Sequence, residues 1–115
     1  MKKSLTRKER LSGKKEIDTL FAQATRREGD GLRLLLRPNN CAYNRVLVTT
    51  RRGFSSAVAR NRQKRIFREI FRLCKGSLKQ GFDLGFVLKK EEMSFPDMRI
   101  SVARLLERAD VLEKS

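Results

Sequence analysis

The chain of 115 residues is long enough for one domain with a modest core and too short for two. Its 28 lysines and arginines outnumber 13 acidic residues, and a net charge of +15 predicts a polyanionic partner, either nucleic acid or an anionic membrane. A membrane span needs an apolar run of about 18 residues, which is absent, and no apolar segment follows the basic N-terminus as in a secretory signal. We therefore expect a cytoplasmic protein that does not bind a membrane.

The first elements are a basic arm and a helix within a single domain spanning residues 1–115. Residues 1–13 form the arm, which we expect to be mobile. It is either a solubilising tail or a direct RNA contact, because any cation near phosphate releases counterions. The arm leads into a helix predicted from Lys14 to Ala24, with Ser12 as its cap and Ile17, Leu20 and Phe21 on an apolar face.

Two strands are predicted next. Residues 26–31 contain two glycines and an aspartate, which indicates a turn. Leu32–Arg37 and Asn44–Thr50 are rich in Leu, Val and Thr and are separated by Pro38 and two asparagines. We expect these strands to pair as an antiparallel hairpin.

The central helix is predicted to begin at Ala57, after a cap at Ser55 or Ser56, and to end near Lys75-Gly76, where Gly76 supplies a left-handed terminus. One side is apolar. The other carries cations four residues apart, a spacing at which like charges repel. This repulsion suggests that a polyanion neutralises the face, although a merely soluble basic face is the alternative. The residues concerned are Arg60, Asn61, Arg62, Lys64, Arg65, Arg68 and Arg72.

The last elements are a strand from Phe82 to Lys89 and a helix that begins at Ser94. The strand alternates apolar and other residues, which predicts one apolar side. Ser94 and Asp97 have capping-box spacing, and Pro96 suits the first helical turn. The order helix, strand, strand, helix, strand, helix predicts an α+β sandwich with a mostly antiparallel sheet.

The chemistry-bearing residues argue against a protein active site. The chain has no histidine, its carboxylates are scattered without metal-ligand spacing, and Cys41 and Cys74 are too few for a zinc site. We expect free thiols, no catalytic residue and no metal bound by the protein.

One long motif lies on the central helix. The string Arg60-Asn61-Arg62-Gln63-Lys64-Arg65, preceded by Ala57-Val58 and followed by Arg68-Glu69 and Arg72, resembles the signature of the bacterial ribonuclease P protein component. The resemblance covers residues 11–112. It implies a two-layer α+β sandwich of three helices and a four-stranded, mostly antiparallel sheet, in the order α-β-β-β-α-β-α, with a left-handed β-α-β crossover.

The resemblance also implies a function. In this family the RNA subunit, with its own Mg²⁺, removes the 5′ leader of precursor tRNA. The protein assists as a subunit of that endonuclease and takes no small-molecule substrate or cofactor. The implied contacts with the catalytic RNA are Arg52, Arg60, Asn61, Arg62, Lys64, Arg65, Arg68 and Arg72. The implied leader cleft, between the sheet and the first helix, contains Ile17, Phe21, Leu35, Val48 and Phe86.

Two departures from the family pattern bear on these sites. Ile17 and Leu35 stand at or near positions that are often aromatic, so van der Waals and backbone contacts are favoured over base stacking. Arg52-Gly53-Phe54 replaces the usual Lys-Lys-x-Gly pattern. Val48 and Phe86 could instead be core residues.

Two alternatives to the ribonuclease P function remain at this point. The first is a generic RNA-binding protein of the ribosomal type, which would share the basicity but has no reason to carry the motif. The second is a DNA-binding helix. It is disfavoured because few base-reading amides accompany the cations, namely Asn61 and Gln63.

Overall fold

The structure is a computed structural model that describes residues 7–113. A short 3₁₀ turn at Arg7–Glu9 precedes the regular elements, and another, Lys75–Ser77, follows the second helix. The helices and strands confirm the order α-β-β-β-α-β-α. They are α1 (Lys14–Gln23), β1 (Thr25–Glu28), β2 (Leu32–Pro38), β3 (Arg45–Thr50), α2 (Ala57–Cys74), β4 (Phe82–Leu88) and α3 (Phe95–Arg108).

The four strands form one sheet in the order β1-β2-β4-β3. Strand β2 is antiparallel to both β1 and β4, whereas β3 is parallel to β4 and is joined to it through α2. The predicted hairpin of β2 and β3 is therefore wrong, because β4 lies between them. Six of the seven β4 residues are buried, so both faces of β4 are covered, as in the middle of a sheet.

The connection between β2 and β3 shows how the hairpin is avoided. The Asn44 side chain donates to the Lys79 carbonyl at 2.8 Å and accepts from the Phe82 amide at 2.9 Å. These bonds tie the start of β3 to the start of β4. The two strands consequently run side by side in the same direction.

Strand β1 was predicted as part of a turn. It pairs with β2 from Thr25 opposite Leu36 to Glu28 opposite Arg33, and all four of its residues are exposed. The turn is confined to residues 29–31, where Gly31 has a φ of 81° that favours glycine. An exposed edge strand does not require apolar alternation, so its sequence resembles a polar loop.

The two faces of the sheet carry different helices. The main core lies between the sheet and α2 with α3, and its centre is the contact of Phe86 with Phe67, whose ring centroids are 4.6 Å apart. The opposite face, which we call the α1 face, holds a smaller cluster of Leu11, Leu20, Leu35 and Val87 beneath α1. The predicted α+β class is confirmed. Helix α1 covers part of the second face of the sheet.

The predicted helix ends are only partly correct. Ser56 caps α2 by accepting from the Ala59 amide at 3.1 Å, and the Ser94 side chain accepts from the Asp97 amide at 3.2 Å. In contrast, α1 begins after Gly13 without a side-chain cap from Ser12. Helix α2 passes into a 3₁₀ turn, so Gly76 does not provide the predicted left-handed end.

Residues 1–6 of the predicted arm lie outside the described residues, whereas the Leu11 amide donates to the Val46 carbonyl of β3 at 2.9 Å. Cys41 and Cys74 are free thiols, and burial raises the pKa of Cys74. Within residues 7–113, every helix is too short or too polar to cross a bilayer.

Candidate RNA interface

Helix α2 separates its apolar and basic residues onto two sides. Phe67, Ile70 and Phe71 are buried against the sheet and α3. This packing fixes the rotation of the helix and turns the basic residues toward solvent. We call the outward set the cationic face; it consists of Arg60, Arg62, Lys64, Arg65 and Arg68, all exposed or half-buried.

The cationic face has no ion pair with a carboxylate of residues 8–113. Among the described residues, none of its five members forms an ion pair with an acidic side chain, whereas most acidic residues elsewhere are paired. Arg72 differs because it pairs with Glu69; the hydrogen bond lowers the pKa of Glu69 and raises that of Arg72. Among the described residues, the positive charge of α2 that has no carboxylate partner therefore lies between Arg60 and Arg68.

The two amides of the motif have different environments. Asn61 is exposed, and its side chain makes no hydrogen bond within residues 8–113, so it is available to a ligand. Gln63 is 1% exposed; its amide donates to the Met93 carbonyl at 3.2 Å and accepts from the Met93 amide at 3.1 Å. Gln63 thus anchors α2 to the segment after β4, a role that sequence analysis missed.

The loop before α2 is held by side-chain contacts. Arg51 donates to the Lys89 carbonyl at 2.7 Å and lies over the Phe54 ring. Glu91 accepts from the Ser55 side chain and amide, and these bonds lower its pKa. Gly53 has a φ of 94°, which only glycine adopts readily. The loop leaves Arg52 exposed at the entrance to α2, with no carboxylate partner among the described residues.

Three of the five predicted leader-cleft residues come together on the α1 face. Phe21 is half-buried and packs on the cluster that contains the fully buried Leu35. Ile17 lies one turn earlier in α1 and is also half-buried. Phe21 and Ile17 therefore offer apolar surface beside the sheet, while Leu35 supports it from below.

Val48 and Phe86 lie on the other face of the sheet, so their placement in a cleft with α1 is corrected. Phe86 is 0% exposed and packs on Phe67 and Phe71. Val48 packs on the same core and lines a cavity of about 420 Å³ that also involves Arg68. The alternation of side chains along a strand sets this separation.

The sheet adds basic residues that sequence analysis did not select. Arg33 pairs in register with Val87, and Arg26 with Leu35, so both point to the α1 face. Arg26 also donates to the Phe21 carbonyl at 3.1 Å. The sequence feature that could have identified Arg33 is its position two residues before Leu35 in one strand, which places both side chains on the same face.

The acidic residues in the described part of the chain are dispersed over the structure. Within residues 8–113, no three acidic or cysteine side chains cluster closely enough to hold a metal ion. The fully buried carboxylate of Asp83 accepts two hydrogen bonds from Arg45 at 2.8 and 2.9 Å and one from Asn39 at 3.0 Å. Its hydrogen-bonding capacity is used within the fold.

Comparison with known proteins gives one family. The sequence model of the Ribonuclease P family matches residues 5–110. The ribonuclease P protein component of Thermotoga petrophila is 31% identical over 116 residues, which cover 96% of this chain and 99% of the relative. The component from a Synechococcus species is 36% identical over 110 residues, with 90% and 83% coverage.

Solved structures agree with these sequence matches. The ribonuclease P protein of Thermotoga maritima has a TM-score of 0.77 at 31% identity and covers 87% of this chain and 96% of its own. The ribonuclease P protein of Staphylococcus aureus has a TM-score of 0.80 at 18% identity, with 91% and 98% coverage, and so supports the fold alone. The chain belongs to the ribonuclease P protein family, whose members are subunits of the ribonucleoprotein that matures tRNA 5′ ends.

Proposed function

We propose that this chain binds the catalytic RNA through the cationic face of α2, together with Arg52, Asn61 and Arg72, and binds the 5′ leader of precursor tRNA on the α1 face. The observation that carries the first half is the absence of carboxylate partners for the cationic face within the described residues. Cations without internal partners contribute their full charge to phosphate binding. The proposed place of action is the cytoplasm, where bacterial precursor tRNA is made.

Rigidity supports the assignment of the catalytic RNA to α2. Structured RNA is recognised largely through its backbone and shape, which a fixed row of cations can match. Arginine adds planar, bidentate contacts with phosphate that lysine lacks. Four of the five residues of the cationic face are arginines.

The α1 face suits a single strand. Phe21 provides the one aromatic ring at the predicted cleft on this face, Ile17 adds partly exposed apolar surface, and the fully buried Leu35 supports Phe21 from below. Stacking on an aromatic ring is worth about 1–3 kcal/mol per base with little dependence on sequence. A leader would thus be held through one stacked base, aliphatic contacts and its backbone.

The chemical step belongs to the RNA in this proposal. Mg²⁺ bound by the RNA would supply the metal chemistry, and this chain would supply affinity and position. Each cation that contacts phosphate offsets repulsion between the catalytic RNA and its RNA substrate. The protein should therefore matter most where salt and Mg²⁺ are scarce.

Reconstitution tests the function directly. Purified chain added to its cognate catalytic RNA at low Mg²⁺ should produce cleavage of a labelled precursor tRNA at the mature 5′ end, since bound cations replace part of the ionic screening. The chain without RNA should leave the precursor intact. Cleavage by the chain alone, or no stimulation by it at any Mg²⁺ concentration, would contradict the proposal.

Substitution of Phe21 by alanine tests the leader site. We expect the variant to bind precursor tRNA about tenfold more weakly in the holoenzyme, because one stacked base is lost, and to bind mature tRNA unchanged. Equilibrium binding of the two RNAs gives the comparison. Equal losses of affinity for precursor and mature tRNA would show that Phe21 does not belong to the leader site.

A further inference from the structure

Two cations from neighbouring strands converge on one carboxylate at the end of the α1 face. Arg33 on β2 donates its Nε–H to Glu28, and Lys89, directly after β4, donates to the other Glu28 oxygen at 2.6 Å. The bond from Lys89 is the main reason that the pKa of Glu28 lies below its ordinary value, and Arg33 lowers it further. Two donors around an ionised oxyanion have the geometry of a phosphate site.

The position of this pair relates it to Phe21. Arg33 is two residues from Leu35 along β2, which corresponds to about 7 Å in a strand. Leu35 belongs to the cluster on which Phe21 packs. A single strand with one base against Phe21 would therefore carry a nearby phosphate to Arg33 and Lys89.

The carboxylate can be displaced at small cost. The Glu28 side chain is 54% exposed and lies on the exposed edge strand β1. Ion pairs of this exposure contribute little to stability. Arg51 lies next to Lys89, because its Nε–H donates to the Lys89 carbonyl at 2.7 Å. Cations therefore extend from Lys89 through Arg51 to Arg52, at the entrance to α2.

We propose that Arg33 and Lys89 form a phosphate site for the 5′ leader, and that Glu28 is an internal competitor which the leader phosphate displaces. The inference rests on the proposed function, since it places the leader on the α1 face. Glu28 occupies the site when no leader is bound and reduces the affinity for any leader that is long enough to reach the pair. It would favour release of the cleaved leader.

The variant Glu28→Gln tests the competitor. In the reconstituted holoenzyme we expect about two- to fivefold tighter binding of precursor tRNA whose leader reaches the pair, and no change for mature tRNA. A series of leaders lengthened one nucleotide at a time should show where the gain begins. Arg33→Gln should weaken binding from the same leader length onward.

Asp30→Asn is the matched control. Asp30 is also exposed and pairs with one lysine, Lys90, at 2.7 Å, but it borders a groove of α3 on the opposite side of the sheet. The Asp30→Asn variant removes one negative charge, as Glu28→Gln does, and should leave leader affinity unchanged. Equal tightening by both variants would reduce the effect to net charge and overturn the proposal.

The remaining outcomes separate this inference from the proposed function. If the wild-type holoenzyme prefers precursor with a leader but Glu28→Gln changes nothing, or tightens mature tRNA equally, the phosphate site is wrong and the function stands. If the wild-type holoenzyme shows no preference for a leader, the proposed leader site itself fails, and the phosphate site fails with it.

Discussion

Replacement of both Arg62 and Arg65 by alanine should weaken binding of the chain to the catalytic RNA by about a hundredfold, because each charged hydrogen bond to phosphate contributes roughly tenfold. The slope of log affinity against log salt should fall by about two, one unit for each lost cation. Both side chains are exposed, so the unfolding free energy should change little. Titrations at several salt concentrations measure both quantities.

The matched control lies on α3. Arg104 and Arg108 are exposed arginines without an ion pair among the described residues, and they lie on a different helix from the cationic face. Their double alanine variant removes the same charge and should retain most of the affinity. If the two double variants lose equal affinity, binding depends on net charge and α2 is not the specific interface.

Replacement of Phe86 by alanine should destabilise the fold by about 3–5 kcal/mol, since its fully buried ring packs against Phe67 and Phe71 and its loss leaves a cavity. Such a loss is a large share of the free energy of unfolding of a small domain, which is typically about 5–15 kcal/mol. Urea unfolding measures it. Phe21→Ala should cost less, because Phe21 is only partly buried.

A milder variant separates stability from leader binding. Phe86→Leu keeps an apolar side chain in the core and should leave the preference for precursor over mature tRNA unchanged, because residue 86 faces α2. A selective loss of leader binding in this variant, with an unfolding free energy near that of the wild type, would return Phe86 to the leader site.

The sequence was sufficient to predict which side of α2 is buried and which side faces solvent. Apolar residues at helical spacing identify its buried side, and the cations on the other side then follow without knowledge of the sheet. Gln63 was the exception, because its burial depends on the main chain of Met93, which is 30 residues away. Such a distant hydrogen bond leaves no local pattern.

The strand order could not be predicted from adjacent segments. Pattern analysis paired β2 with β3 because they are consecutive, yet the buried strand β4 enters between them. Only the resemblance implied the fourth strand, since β1 is exposed throughout. The same limit explains the leader site: whether Val48 or Leu35 faces α1 depends on strand register, which no single segment specifies.

The late position of β4 in the chain affects how the protein is made. During synthesis β2 and β3 leave the ribosome well before their common neighbour, and α2 has no completed sheet to cover until Leu88 has emerged. A nascent chain of intermediate length therefore exposes both apolar strands and an arginine-rich helix. The sheet therefore cannot be completed before β4 has emerged, and α2 precedes its scaffold in the order of synthesis.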